Sequence, residues 1–507
     1  MVGRHEGKTM SINETTLAEN EERATSLLQR AWKLSIAGKT RPALSGRTYA
    51  LTSPYSGEQV AVVPDAGADD VAEAVAAAQT AFEGWRATPP IRRARLVEEL
   101  AAAITARGQD FAILDCVDAG IPIVYMADEL KTVTAFLRYF AGLALEMKGE
   151  TIPASTHLHF TERQPFGVVA RIVPFNHPFM FAAKNIAAPL IAGNTVVLKP
   201  SELTPLSALL LGEVVNEIFP PGVVNVVVGD GPEVPQTLVS HPLVHRIGFT
   251  GSEAIGRKIV RTGADTGVKD ISLELGGKNA FIAFPDANPV TVAESAVRNM
   301  NITWSGQSCS STTRLLVHED IEAAVVGAIV ERLSTHVIGN PLDPRSRQGT
   351  IVSERQYKNI LGFIERAVQA GARIVYGGGR PKGIEKGLFI EPTILVDVAP
   401  DAEVAQEEIF GPVLSVIRWR DEDDAVRIAN SVRYGLTGII YTNDIKRAHR
   451  VARKIDAGMI GINGSGAAFL GIPAGGFKAS GLGREQSLDE LLSYTQIKVT
   501  SVYLDDV

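Results

Sequence analysis

Residues 195–229, TVVLKPSELTPLSALLLGEVVNEIFPPGVVNVVVG, hold the pattern that decides the fold. A β-branched run, TVVLK, is followed by a break that contains prolines, a helical segment and a second β-branched run. The same alternation continues on both sides, with GVVARIVPF at 167–175 and HRIGFTG at 245–251 before a helix that starts at Glu253. Strands that alternate with helices in this way predict a parallel, doubly wound sheet.

A second series of strands and helices begins after Gly277. It contains NAFIAF at 279–284, a helical segment at 287–301, RLLVHED at 314–320 and another helical segment that follows it. A chain of 507 residues is too long for one compact core. The sequence therefore predicts an α/β protein with two doubly wound parallel-sheet domains.

The region before the first series predicts helices. The segments at 69–85 and 91–108 have helix-forming composition and apolar residues at spacings of three and four. The residues through about Glu21 are predicted to form a tail, and a helix is predicted over 23–36 because its leucines and Trp32 approximate one face.

Two peripheral segments predict strands. The residues THLHFTERQ, within 151–168, alternate in polarity, and IKVTSVYLDD near the C-terminus is again typical of a strand. Because both segments lie outside the two α/β series, we expect them to pair between subunits. They would form a small β oligomerisation element in a homodimer or homotetramer.

Composition narrows the class of protein. Net charge is -7 and basic residues are interspersed with acidic ones, which makes a nucleic-acid partner an unfavoured hypothesis. Two cysteines in a chain of this size do not form a disulfide scaffold, so a reducing, cytoplasmic location is expected. We identify no secretory signal, no membrane span and no metal ligand set in the sequence.

Asn176 lies in PFNHP, directly after the first apolar run. Prolines on both sides hold it in a fixed, irregular loop at a strand end. Its amide is positioned to donate to a developing oxyanion. The alternative, that it satisfies the backbone groups of a turn, is the more common role for an asparagine considered alone.

Lys199 and Glu202 follow the strand TVVLK, where the loops of an open α/β sheet form the ligand crevice. A lysine there reaches a ribose or a phosphate, while a glutamate accepts hydrogen bonds from ribose hydroxyls and repels a 2′-phosphate. The pair therefore favours NAD over NADP. The alternative is a solvated charge pair at the start of a helix.

FTGSEAIG at 249–256 combines a strand, a glycine turn and a helix. Ser252 and the free N–H groups of the helix N-terminus form a candidate pyrophosphate site, although the spacing is not that of a dinucleotide fingerprint. Gly229 and Gly231 form a weaker signal, since many strand-to-helix turns contain glycine for its backbone geometry.

Glu274 and Cys309 are the candidate chemical groups. Glu274 ends an apolar strand in LELGGK, where partial desolvation favours a raised pKa and base behaviour, and structural pairing is the alternative. Cys309 lies among small residues in SGQSCSS, so its thiolate is open to substrate. Cys116, in the apolar helical context FAILDCVDAG, is interpreted as an inert core residue.

QEEIFGPV contains Glu408 and Phe410. The glutamate is suited to orient a second ribose, and the fixed aromatic ring is suited to support a nicotinamide ring. A helix end before a proline-bounded turn is the alternative. Further on, AGGFKASGLGRE occupies residues 474–485.

These segments, in this order, resemble the aldehyde dehydrogenase superfamily from about residue 45 to the C-terminus. The resemblance implies a hydrolytic, NAD(P)-dependent enzyme in which Asn176 contributes to the oxyanion hole, Cys309 is the nucleophile and Glu274 is the general base. It implies a Rossmann-like cofactor domain at 45–150 and 169–276, and a catalytic domain at 277–480. The oligomerisation strands would lie at 151–168 and 490–507, and residues 1–44 would form a tail and a helix.

The resemblance also implies two sets of binding residues. The predicted cofactor-binding residues are Ile172, Pro174, Lys199, Ser201, Glu202, Gly229, Phe249, Gly251, Ser252, Leu275, Gly276, Glu408 and Phe410. The predicted substrate-binding residues are Phe175, His177, Phe181, Ser308, Ser310 and Ala474. The expected cofactor is NAD, with NADP as an alternative, and the expected partner is a small-molecule aldehyde.

Several of these positions depart from the family's usual pattern. Phe175 replaces the tryptophan that commonly precedes the oxyanion-hole asparagine, His177 follows that asparagine, and Ala474 replaces an aromatic residue. Aromatic side chains with small residues opposite them predict a roomy substrate tunnel, suited to benzaldehyde-type or long aliphatic aldehydes. His177 is either a hydrogen-bond donor to substrate or part of the tunnel wall.

Two other functions are compatible with the resemblance. A CoA-acylating dehydrogenase transfers the acyl group to a thiol and does not need a water-activating glutamate, so Glu274 argues against it. A non-catalytic relative retained for a structural role would be expected to have lost the nucleophile or the base, and both are present.

Overall fold

The computed structural model describes residue 12, residues 15–464 and residues 469–504. Most of the predicted tail, residues 1–11 and 13–14, lies outside this part of the chain. The last residues of the predicted tail are described, and there the prediction is wrong, because the helix Leu17–Leu28 has already begun.

The helices of the described chain are α1 (Leu17–Leu28), α2 (Ala68–Ala87), α3 (Pro90–Ala106), α4 (Gly108–Asp118), α5 (Ile123–Gly142), α6 (Pro178–Lys184), α7 (Ala187–Ala192), α8 (Leu206–Ile218), α9 (Glu233–Ser240), α10 (Glu253–Thr266), α11 (Pro289–Asn299), α12 (Glu322–Leu333), α13 (Glu354–Gln369), α14 (Glu403–Gln406), α15 (Glu422–Asn430), α16 (Ile445–Ala452) and α17 (Leu488–Ser493). A 3₁₀ turn covers Ile302–Trp304.

The strands of the described chain are β1 (Leu34–Ile36), β2 (Lys39–Arg41), β3 (Thr48–Thr52), β4 (Gln59–Pro64), β5 (Leu158–Pro165), β6 (Val168–Ile172), β7 (Thr195–Lys199), β8 (Val224–Val226), β9 (Val244–Thr250), β10 (Asp270–Glu274), β11 (Ala280–Ala283), β12 (Arg314–His318), β13 (Arg373–Tyr376), β14 (Thr393–Val396), β15 (Val413–Trp419), β16 (Tyr434–Gly435), β17 (Thr437–Tyr441), β18 (Met459–Ile462), β19 (Phe477–Lys478), β20 (Gly481–Leu482) and β21 (Thr495–Val502).

The first sheet has the strand order β2-β1-β8-β7-β6-β9-β10-β20. Its central strands, β8 through β10, are parallel, and β1, β2 and β20 add antiparallel edges. The chain builds outward from β6 to one side and then from β9 to the other. Such a reversal leaves a ligand crevice beyond the carboxyl ends of the two strands.

The second sheet has the strand order β13-β14-β15-β12-β11-β17-β18 and is parallel except for β13. The apolar strands β11 and β12 lie at its centre and are largely buried, as expected for a sheet covered on both faces. The prediction of an α/β protein with two mostly parallel sheets is confirmed.

The predicted helix over 23–36 is wrong in its second half. The helix α1 begins with a Thr16–Glu19 capping box and ends at Leu28, while Leu34–Ile36 form a strand that pairs with β2 and β8. A turn at Ala37 and Gly38, both with positive φ, closes the hairpin, and the Asn225 side chain accepts a hydrogen bond from the Ala37 N–H. Burial against the sheet edge outweighed the local helical pattern.

The two peripheral strands, β5 and β21, pair with each other along their whole length in antiparallel register. Both segments form strands, as expected. They pair with each other within one chain, whereas pairing between subunits was expected. Their exposed face carries apolar side chains, including Ile497 and Val499, each 61% exposed. In the described residues, no helix is both long enough and apolar enough to cross a bilayer.

Candidate active site

A cavity of about 680 Å³ opens beyond the carboxyl ends of β6, β9 and β10. It is also lined by residues from the part of the chain that forms the second sheet. It is formed by most of the residues that the sequence had nominated. Those residues are Ile172, Pro174, Phe175, Asn176, Phe181, Lys199, Ser201, Glu202, Phe249, Gly251, Ser252, Glu274, Leu275, Gly276, Cys309, Glu408 and Phe410.

Five nominated residues do not line this cavity. Gly229 packs against the backbone of Ala66, and its neighbour Gly231 lines the cavity instead. Ser308 is buried, Ser310 is exposed, and Ala474 forms backbone hydrogen bonds with Glu485.

His177, the fifth, lies beside Trp304, with ring centroids 4.8 Å apart, and is bonded to the buried carboxylate of Glu129. Phe179, which belongs to the same aromatic run after Asn176, stacks on Phe111 in the core, with ring centroids 4.2 Å apart. The aromatic run after Asn176 thus divides between the protein interior and the site.

The loop that carries Cys309 is held firmly from several directions. The Asn279 side-chain amide donates to the Cys309 carbonyl at 2.7 Å and to the Ser311 carbonyl at 2.9 Å. Gln307 donates to the Thr350 carbonyl and accepts from the Val352 N–H. These bonds fix the thiol at the amino end of β12, where it faces the cavity and remains partly exposed.

Cys309 is a protonated thiol in this environment. Burial raises its pKa to about 12, and the negative charges of Glu408 and Glu274 act in the same direction. The thiolate is the nucleophilic form, so an attack by Cys309 requires removal of its proton. Cys116, in contrast, is buried in the core and does not line the cavity.

Glu274 ends β10, between β9 and the antiparallel β20. Burial raises the pKa of its carboxyl well above the usual range, and the nearby charge of Glu485 adds to the effect. One carboxyl oxygen, Oε1, is buried without a hydrogen-bond partner. A carboxylate in this setting binds a proton readily, which suits a general base.

Asn176 follows β6 and is 5% exposed. Its side-chain amide makes no hydrogen bond with any residue in the described ranges. Phe175 beside it meets the edge of Phe410, with ring centroids 5.7 Å apart, so this loop touches the opposite wall of the cavity. The amide of Asn176 is therefore a donor open to a ligand.

Glu408 reaches across the cavity to the glycine pair that follows β10. Its carboxylate accepts a hydrogen bond from the Gly277 N–H at 3.0 Å, and a Cβ added at Gly276 would overlap that carboxylate. Burial raises the pKa of Glu408 to about 7. A larger residue at position 276 would therefore displace the Glu408 carboxylate from this position.

At the other end of the cavity, the Lys199 ammonium donates to the Glu202 carboxylate at 2.9 Å. Burial raises the pKa of Glu202, but the charge and hydrogen bond of Lys199 outweigh it and leave the pKa lowered. Ser252 is the N-cap of α10, so unpaired N–H groups at the helix start border the cavity.

The sequence analysis missed the contribution of α13. Arg355, Gln356 and Asn359 line the cavity, and the Gln356 amide donates to the carbonyls of Ile409 and Phe410 at 2.9 and 3.0 Å. These bonds hold Phe410 at a positive φ of 54°. The N-cap serine and the apolar residues at helical spacing mark this helix in the sequence, but they give no sign that its Arg355, Gln356 and Asn359 meet the site.

No group of His, Cys, Asp and Glu side chains in the described part of the chain has the arrangement needed to hold a metal ion. The cavity itself brings together a thiol, a proton-binding carboxyl and an amide donor, next to a crevice of the kind that takes dinucleotides in open parallel sheets.

Comparison with known proteins indicates the family to which an enzyme with these groups belongs. The model of the aldehyde dehydrogenase family matches residues 41–500. The chain is 41% identical over 483 residues to aldehyde dehydrogenase tropH of Talaromyces stipitatus, which covers 93% of this chain and 92% of that protein. The chain belongs to the aldehyde dehydrogenase family.

Solved structures extend the likeness to three dimensions. The NAD⁺ complex of aldehyde dehydrogenase from Bacillus cereus superposes with a TM-score of 0.92 at 35% identity, over 95% of this chain and 98% of that one. The indole-3-acetaldehyde dehydrogenase AldA of P. syringae, in complex with NAD⁺ and IAA, gives a TM-score of 0.94 at 34% identity, over 97% and 100%. The protein is an NAD(P)-dependent aldehyde dehydrogenase.

Proposed function

We propose that this chain oxidises an aldehyde to a carboxylic acid with NAD⁺, through a thiohemiacetal and a thioester on Cys309, and that Glu274 activates the hydrolytic water. The observation that carries the proposal is that Cys309, Glu274 and Asn176 line one cavity together with the residues of the dinucleotide crevice. Each of the three supplies a group that the reaction requires.

The residues of the cavity fit a dinucleotide. Its volume of about 680 Å³ lies within the range of cofactor sites, and Gly251 and Gly276 leave room where a Cβ would overlap Phe249 or Glu408. Ser252 at the start of α10 would hold the pyrophosphate, Lys199 and Glu202 the adenosine ribose, and Glu408 the second ribose. When bound, the nicotinamide supplies a hydride acceptor.

In the first step, the Cys309 sulfur forms a bond to the aldehyde carbon and its proton leaves to Glu274 or to water. The carbonyl oxygen gains negative charge, which the amide of Asn176 and the backbone N–H of Cys309 stabilise. Loss of a hydride from the same carbon then leaves a thioester. The fixed loop around Cys309 keeps the sulfur in position throughout.

In the second step, Glu274 takes a proton from water while the water oxygen attacks the thioester carbon. The carbon–sulfur bond then breaks, the acid leaves, and Cys309 recovers a proton. The raised pKa of Glu274 increases its affinity for the proton of water, which favours this role over a purely structural one.

The decisive experiment measures acid formation from aldehyde and NAD⁺ without CoA. We expect stoichiometric acid and NADH from the natural chain, no turnover from Cys309→Ala, and most of the activity from the matched control Cys116→Ala. A requirement for CoA would instead identify an acylating enzyme. Full turnover by Cys309→Ala would overturn the proposal.

The substrate tunnel is proposed to prefer aromatic or long aliphatic aldehydes over acetaldehyde. Support comes from Phe175 and Phe181 on the cavity wall and from Trp304 beside a smaller cavity that Phe175 and Asn176 also line. A panel of aldehydes ranked by kcat/KM tests this. Acetaldehyde as the best substrate would overturn it.

We also propose the domain boundaries, the assembly and the location of this protein. We propose residues 45–150 and 169–276 as the cofactor domain and 277–480 as the catalytic domain; support comes from the parallel strands β6 to β10 of the first sheet and from the second sheet, while β1, β2 and β20 join the first sheet from outside these ranges. We propose that β5 and β21 join copies of the chain into a homodimer or homotetramer, supported by their exposed apolar face. A cytoplasmic location is supported by two unpaired cysteines.

A further inference from the structure

The loop that carries Asn176 is held by hydrogen bonds on both sides of that residue. The Thr204 hydroxyl donates to the Phe175 carbonyl at 3.3 Å, and the Asp115 carboxyl accepts from the Phe179 N–H at 3.0 Å. Both bonds act on the backbone of the loop. The side chain of Asn176 makes no hydrogen bond within the described chain, so its direction depends on how its neighbours are placed.

His177 adds a side-chain contact directly after Asn176. Its Nδ1 lies 2.6 Å from the Oε1 of Glu129, and the Glu129 side chain is 3% exposed. Within the described residues this is the one hydrogen bond of the Glu129 carboxyl, whose Oε2 is buried without a partner. A carboxyl is costly to bury, and a buried pair often adds little to stability. The geometry therefore favours orientation of the His177 ring as the role of this pair.

The same ring contacts the segment that leads to Cys309. The ring centroids of His177 and Trp304 lie 4.8 Å apart. Trp304 ends a 3₁₀ turn, and its carbonyl accepts from the backbone N–H and the side-chain amide of Gln307, two residues before Cys309. A small cavity lined by Asn176, Trp304 and Gln307 marks where the two segments meet. His177 thus connects the loop of Asn176 with the loop of Cys309.

Helix α5 supports this connection with two side chains. Tyr125 and Glu129 are four residues apart, so they share one face of the helix. Glu129 is bonded to the His177 ring, and the Tyr125 ring centroid lies 5.9 Å from that of Trp304. One face of a helix of 20 residues therefore holds both members of the contact between His177 and Trp304.

We propose that Glu129 is a positioning residue that acts through the His177 ring and sets the place of the Asn176 amide relative to Cys309. The inference rests on the proposed function, because it deepens the roles assigned there to these two residues in the oxyanion hole. Catalytic groups have to be held within about 0.5 Å of their productive geometry, and a misplacement of about 1 Å costs up to about a hundredfold in rate. Neither Glu129 nor His177 lines the main cavity, so both act through Asn176 and not by contact with substrate.

Steady-state kinetics with an aromatic aldehyde and NAD⁺ test this role. Glu129→Leu should lower kcat about tenfold or more and change KM for the aldehyde and Kd for NAD⁺ by less than about twofold, because an oxyanion donor acts in the transition state. Glu129→Gln keeps an oxygen that can accept from His177 and should retain most of kcat. Asp128→Leu, at a neighbouring carboxylate whose side chain is 80% exposed, is the matched control and should leave kcat unchanged.

A double-mutant cycle separates positioning from general destabilisation. Glu129→Leu should lower kcat much less in the Asn176→Ala background than in the natural one, because the donor that it misplaces is already absent. An equal fractional loss in both backgrounds, or a natural kcat in Glu129→Leu, would overturn the inference. His177→Phe removes the bond and keeps a ring, so it carries the same cycle if Glu129→Leu does not fold.

Crystal structures give a readout that does not depend on activity. Relative to Cys309, the Asn176 amide should move by more than about 0.5 Å in Glu129→Leu or His177→Phe, and a smaller displacement would contradict the positioning role. A natural kcat in Asn176→Ala would overturn the oxyanion role of Asn176 in the proposed function, whereas an additive cycle would overturn only the role of Glu129. The displacement would still decide whether Glu129 positions the loop.

Discussion

The protonation state of Cys309 gives a prediction that can be measured without any substrate. Its pKa is raised from the ordinary 9.0 to about 12 by burial and by the charges of Glu408 and Glu274. At pH 8 the thiolate fraction is then roughly 10⁻⁴, against roughly 10⁻¹ for an ordinary thiol. Alkylation of Cys309 in the cofactor-free enzyme should therefore be about a thousandfold slower than that of glutathione.

Glu408→Gln tests the electrostatic part of this shift. Removal of one negative charge should lower the pKa of Cys309 by about one unit and speed alkylation about tenfold at pH 8 to 9. The pKa of Glu408 is itself raised to about 7, so below that pH its carboxyl is protonated in the natural chain. The rates of variant and natural enzyme should therefore converge as the pH falls below 7.

Iodoacetamide labelling followed by mass spectrometry of the Cys309 peptide provides the assay. Cys116, buried in the core, is followed in the same digest and reports any unfolding. Labelling of Cys309 at the rate of glutathione at pH 7 to 8 would refute the argument from burial. An unchanged rate in Glu408→Gln would refute the assigned contribution of that carboxylate.

Three further changes probe the cofactor crevice and its support. Gly276→Ala should raise the Kd for NAD⁺ about tenfold by calorimetry, because the new Cβ displaces Glu408, whereas Gly84→Ala, where nothing lies within 4 Å, should have no effect. Glu202→Ser should increase kcat/KM with NADP⁺ relative to NAD⁺, and no change in that ratio would count against ribose recognition by Glu202. Arg171→Met leaves the buried carboxylate of Glu485 unpaired, so chemical denaturation should show a loss of about 3–5 kcal/mol in the free energy of unfolding. A loss below about 1 kcal/mol, which is the scale of an exposed ion pair, would contradict this prediction.

Local sequence was most informative where the pattern was long and regular. The helix predicted at 69–85 is found as Ala68–Ala87, and the alternating runs of residues 167–251 form the central parallel strands. In these segments propensity, periodicity and burial favour the same structure. At Leu34–Ile36 they conflict, and pairing with β8 decides the outcome.

The site was accessible from sequence only where its residues lie in recognisable motifs. Asn176, Glu274 and Cys309 do, and the structure places all three on one cavity. Gln356 and Asn359 belong to a helix whose sequence does not reveal which face meets the site. Their contribution depends on the packing of distant elements, which local pattern does not encode.

The proposed reaction depends most directly on a thioester at Cys309 that Glu274 helps to hydrolyse. Rapid mixing of Glu274→Gln with NAD⁺ and an aromatic aldehyde should give a burst of about one NADH per active site and then very slow turnover. Mass spectrometry of the quenched enzyme should find the acyl group on the peptide that contains Cys309. The absence of a burst in a variant that still binds NAD⁺, or an acyl group on any other residue, would contradict the account.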